Sequence, residues 1–153
     1  MEEPVGTDQA PWHLWVVGTL ALLFTLYGGY DYYMSQIGNR EYIAAAVEPL
    51  GIDADVAVEY FSTFPLWADI FWAIGVWSGV AGSSLLLLRR RFAFHAYAFS
   101  LVGLAVSNAY SYSNPIPGMT DSAMTLIVVA VVAIVMVLLT IYARRMASRG
   151  VLR

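Results

Sequence analysis

The sequence predicts an all-α integral membrane protein: a four-transmembrane-helix bundle with a partly helical outer loop between helices one and two. Three observations predict it. The 153 residues are 59% hydrophobic and 12% charged, with a mean hydropathy of +0.65, more apolar surface than a soluble domain of this size can bury. Four apolar runs each approach the ~20 residues that carry a helix across a bilayer core. Seven of the eight basic residues, all arginine, close two of those runs as Arg89, Arg90 and Arg91, then Arg144, Arg145, Arg149 and Arg153.

The expected spans are 12–34, 65–88, 92–112 and 123–143, in a single membrane domain covering 1–153 with an outer loop at 35–64. Pro11 and Pro65 stand where a helix start tolerates proline, because a first-turn N–H has no intrahelical partner. The N-terminus opens on Glu2, Glu3 and Asp8 and no small-residue cleavage site follows the first apolar run, so that run is expected to persist as the first span. Only the three arginines separate spans two and three, which must therefore form a tight antiparallel hairpin. Pro115 and Pro117 end span three and leave a short turn at 113–122.

Arginine is retained on the cytoplasmic face of a membrane. Four spans then place both termini and the 89–91 turn in the cytoplasm of a bacterial inner membrane. The outer loop sets Arg40 against Glu41, Glu48, Asp53, Asp55 and Glu59, a net charge of −4. Tyrosine and tryptophan agree: Trp12 and Trp15 sit at the expected inner interface, while Tyr27, Tyr30, Tyr32, Tyr33, Trp67, Tyr110 and Tyr112 gather at the outer one, as anchoring belts do. In the loop, Asn39 can cap a helix running to Val47, and Asp53 a second. In the second, Val56, Tyr60 and Phe64 recur every four residues beside Ala57 and Phe61, an apolar stripe for the membrane surface or the bundle mouth.

Small residues mark the packing faces. Gly75, Gly79 and Ser83 form a ladder on span two; Ser100, Gly103, Ser107 and Ser111 line span three. Helices in lipid need such residues to approach closely, so these two faces are expected to meet, with self-association as the other use. Span four is nearly all aliphatic, a wall for lipid or a partner.

Chemistry-bearing groups are sparse. Asp31 and Asp69 each lie about 12 Å from the middle of their helix toward the outer side, with Asn108 at similar depth and Tyr27 one turn from Asp31. Ionisable groups inside a membrane often mark solute or proton pathways, and two adjacent carboxylates can share a proton; equally, such groups can reach water or crosslink helices through tyrosine hydroxyls. His13 and His95 are weak candidates for metal or haem ligation from neighbouring helices. Cysteine is absent, which excludes disulfides and thiolate sites. Neither G-x-S-x-G nor H-E-x-x-H occurs, no residue pattern specifies a cofactor, and the arginines serve a membrane face instead of nucleic acid.

The runs WHLWVVGTLALLFTLYGGYDYYMSQ, FPLWADIFWAIGVWSGVAGSSLLLLRRR and YARRMASRGVLR resemble a family of small four-helix proteobacterial inner-membrane proteins, loosely labelled "sugar transporter". The likeness covers most of the chain and rests on Gly28 to Tyr32, on Phe64-Pro65 and on the triple arginine. That family often carries an asparagine late in helix one, where this chain has Thr25 or a neighbour. The resemblance implies an inner-membrane location and assigns no functional residue. The expected function is a non-enzymatic accessory or scaffold protein, working through helix–helix contacts with itself or a larger membrane complex. The competing expectation is a small-solute or proton-coupled transporter, oligomeric, built on the outer polar layer.

Overall fold

A computed structural model describes residues 10–119 and 123–153. Glu2, Glu3, Asp8 and the end of the 113–122 turn lie outside the described residues. The described chain is helical: α1 (Trp12–Gln36), α2 (Arg40–Val47), a 3-10 turn (Glu48–Leu50), α3 (Ala54–Ser62), α4 (Leu66–Leu87), α5 (Ala93–Ser113) and α6 (Ala123–Ser148). Of these, α1, α4 and α6 are long and apolar enough to cross a membrane. With 21 residues, α5 has the length, but serines, Asn108 and three tyrosines dilute its hydropathy.

Helix ends follow the local signals. Gly38, in the left-handed region at φ +62°, stops α1: its N–H bonds Ser35 O and the Asn39 N–H bonds Met34 O, which satisfies carbonyls the helix leaves open. Asn39 then starts α2 by accepting from the Tyr42 N–H at 2.9 Å, and Asp53 starts α3 by accepting from Asp55 N–H at 2.8 Å. Both caps were expected from the sequence. The same closure ends α4 without a glycine. Arg89 takes the left-handed φ of +56°, and Arg89 and Arg90 N–H reach Leu86 O and Leu85 O. This is the tight turn expected between spans two and three.

The small-residue faces meet as expected. Gly75, Gly79, Gly82 and Ser83 on α4 and Ser100, Gly103 and Ser107 on α5 are all buried. A Cβ on Gly75 would stand 2.9 Å from the Leu104 backbone nitrogen, so the two backbones are nearly touching. Ser100 Oγ donates across this seam to Gly75 O. The ladder is thereby consumed inside one molecule.

The main core occupies only half of the bundle. Leu14, Leu86, Ala93, Tyr97, Met136, Leu139, Ala143 and Met146 pack together, and all lie toward the end that carries Arg89, Arg90 and Arg91. Here His13 Nδ1 meets Tyr142 Oη at 2.6 Å, tying α1 to α6. A second, smaller core of Ile43, Val47, Ile52 and Ala57 forms the α2–α3 cap at the opposite end, joined by Ile116 and Met119 from the α5–α6 connection. Arg40 and Asp55 clip the cap's two helices at 2.6 Å. Both side chains are mostly exposed, yet the Arg40 guanidinium holds the Asp55 carboxyl below its usual range.

Candidate functional site: a cavity between the outer halves of α1 and α6

Between the arginine-end core and the α2–α3 cap lies a cavity of about 750 Å³, within the ~300–1,000 Å³ usual for small-molecule sites. Met136, Gly79 and Ser100 form its floor near mid-bundle, and Phe61 in α3 and Phe64 just after it form its roof. Of the apolar α3 stripe, Phe61 and Phe64 thus line the cavity, and Ala57 packs in the α2–α3 cap. Tyr60, on the same helix, donates from Oη to Asn114 O at 2.8 Å, and burial raises its phenol above the ordinary value.

Some lining residues are also exposed, and these mark the entrance. Tyr27 on α1 is 68% exposed, Val128 and Val131 on α6 54% and 51%. The mouth therefore opens sideways between α1 and α6, which converge at the arginine end through His13 and Tyr142 and part above it. Opposite the mouth, the wall is the α4–α5 seam.

The lining is chiefly apolar with a polar strip. Thr25, Ser100, Ser107, Asn108, Ser111 and Asp31 contribute to it, and Asp31 is the one charged group among the described lining residues. Its carboxylate accepts from Tyr42 Oη at 2.8 Å. The Tyr42 phenol is raised by burial first and by the Asp31 bond second, so it stays a donor and holds the carboxylate in place. One half-buried hydrogen bond leaves carboxylate lone pairs for a ligand. Aromatic rings stand around the end nearest the α2–α3 cap: Phe61 and Trp72 stack at 5.8 Å, and Phe64 meets Tyr110 edge-on at 4.8 Å.

The sequence-predicted layer divides. Asp31, Tyr27 and Asn108 line the cavity together, with Asn108 Nδ2 donating to Leu104 O at 2.8 Å. Asp69 does not line it. It accepts from Gln36 Nε2 at 2.5 Å and Tyr32 Oη at 3.5 Å, a crosslink from α4 to α1. The two carboxylates thus take separate tyrosine partners in place of a shared proton. His13 is engaged with Tyr142, whereas His95 packs against Phe92 and Phe94. No group of three or more His, Asp or Glu that could hold a metal occurs among the described residues.

A buried hydroxyl network lies at the floor and joins residues that no sequence pattern links. Tyr97 Oη donates to Ser83 Oγ at 3.0 Å, Ser83 donates to Gly79 O, and Thr25 Oγ1 meets Ser83 Oγ at 3.1 Å. Three helices are pinned at one point, and Tyr97 and Ser83 are fully buried. Charge-free hydrogen bonds of this kind fix helix register at low desolvation cost.

No protein-family model, curated protein or solved structure matches the chain.

Proposed function

We propose that this is a four-span protein of a bacterial inner membrane, arginine end in the cytoplasm, which takes an amphiphilic organic cation from the bilayer into the α1–α6 cavity, as a small transporter does. The observation that carries the reading is the sideways-opening cavity with Asp31 as its one described charge. A carboxylate that shares its cavity with the rings of Tyr27, Phe61, Phe64 and Trp72 suits a bulky, weakly hydrated cation, because aromatic rings attract cations electrostatically and the carboxylate supplies the counter-charge. The apolar remainder suits an apolar body. Entry from lipid spares such a ligand a passage through water.

The fourth span is α5. Its 21 residues extend about 31 Å at 1.5 Å per residue, and its polar side chains Ser100, Ser107, Asn108 and Ser111 line the cavity. The arginine clusters at one end supply the orientation by retention in the cytoplasm.

An accessory or scaffold role is the second reading. Its support is the exposed aliphatic stripe of Leu126, Ile127, Val131, Ile134 and Leu138 on α6. The small-residue ladder no longer adds to it, since α4 and α5 bury that ladder against each other.

Tetraphenylphosphonium and tetraphenylborate share size and shape and differ in the sign of charge. Protein in lipid nanodiscs, corrected for empty discs, is expected to bind the phosphonium on the order of micromolar and the borate at least about tenfold more weakly. Val132→Trp, which fills the cavity from α6, is expected to remove phosphonium binding. Equal binding of the two ions, or full binding by Val132→Trp, would refute the proposal.

A further inference from the structure

Glycines inside the described long helices have a reason in packing, with one exception. An added Cβ at Gly18, Gly75, Gly79, Gly82 or Gly103 would stand within 3.1 Å of an atom on a neighbouring helix, so these positions are bare where two helices press together. At Gly29 the same atom would touch the Trp77 ring at 3.8 Å. At Gly28 it would meet nothing within 4 Å. Glycine weakens a helix interior relative to alanine, and at Gly28 no neighbouring helix comes close enough to require it.

Gly28 belongs to the cavity side of α1. Phe24 and Thr25, about one turn before it, and Asp31, almost one turn after it, line the same cavity, as positions three or four apart on a helix share a face. Where α1 is exposed it carries large side chains, Leu20, Leu23, Leu26 and Tyr30 among them, so contact with lipid does not account for the glycine. Gly28 and Asp31 are about 4.5 Å apart along the helix axis. Bare backbone thus adjoins the one charged group among the described lining residues.

We infer that Gly28 is a specificity-determining residue: it leaves the room in which a cation wrapped in its own apolar groups comes up to Asp31. The inference rests on the cavity reading proposed above and narrows its ligand to cations that are widest at their charge. An ammonium at the end of a slim chain reaches a carboxylate past a leucine side chain, because its N–H groups project toward the acceptor. A phosphonium or quaternary ammonium with four bulky substituents has no such projection. Its bulk surrounds the charge, so the space it needs lies beside the carboxylate, where Gly28 provides it.

The test compares tetraphenylphosphonium with decylammonium, a slim cation of the same charge, on protein in lipid nanodiscs corrected for empty discs. The wild type is expected to prefer the phosphonium at least about tenfold, Gly28→Leu to lose about tenfold in phosphonium affinity, and Gly28→Ala to lose about threefold. Decylammonium binding should change less than about twofold in either variant. Melting in detergent separates loss of binding from loss of fold, and Gly28→Ala alone decides the matter if Gly28→Leu does not fold. A wild type that prefers decylammonium, an equal loss of both cations, or unchanged phosphonium binding in the folded variants would overturn this inference and leave the cavity reading standing. A wild type that binds no phosphonium would remove both.

Discussion

Gly103→Leu is expected to leave no folded protein, and even Gly103→Ala to lower the melting temperature in detergent sharply. A Cβ at this position would stand 2.6 Å from Gly75 Cα on the facing helix, inside any real carbon–carbon contact. The obstacle is backbone, which cannot rotate aside. Relief requires α4 and α5 to separate, and separation breaks the Ser100-to-Gly75 bond and loosens the seam that walls the cavity. Overpacking of this kind costs ~1–3 kcal/mol or more. Gly28→Ala is the matched control: no atom lies within 4 Å of its added methyl, and alanine favours a helix by ~1 kcal/mol over glycine. Gly28→Ala should melt at or above the wild type. Equal melting of Gly103→Ala and wild type would show that α4 and α5 are not packed this closely.

Asp31→Asn is expected to weaken tetraphenylphosphonium binding at least about tenfold while leaving the fold intact. Asparagine keeps the shape and can still accept from Tyr42 Oη, so the change removes a charge and little else. A pair of unit charges at ~4 Å interacts by ~4 kcal/mol at an effective dielectric of 20. Desolvation takes back much of that, and a remainder of ~1.4 kcal/mol is a factor of ten. Asp69→Asn should change binding less than about twofold, because Asp69 faces Gln36 and Tyr32 away from the cavity. Equal loss in the two variants would mean that a shared outer polar layer, and not Asp31 in its cavity, reads the charge.

How far the fold was legible depended on whether its signals were local. The starts of α2 and α3 were, because Asn39 and Asp53 act on the backbone within a few residues. So was the α4–α5 seam, because small residues at helical spacing have few other uses in lipid. The separation of Asp31 from Asp69 was not. Helices apolar all round carry no periodicity that says which way a given carboxylate points, and equal depth was all that sequence could supply. The network of Thr25, Ser83 and Tyr97 joins positions far apart in the chain, and Tyr97 alone looks like another interfacial tyrosine. The cavity escaped for a related reason. It exists because the core fills one half of the bundle and α6 departs from α1 in the other, and no run of residues encodes that departure.

The cavity is expected to hold a molecule drawn from the membrane. The most direct measurement is native mass spectrometry of the protein extracted from its own membranes in mild detergent, beside Val132→Trp prepared identically. A bound small molecule carrying positive charge is expected on the wild type and none on Val132→Trp, with both proteins folded. A wild type that emerges bare, or the same adduct on both proteins, would contradict it.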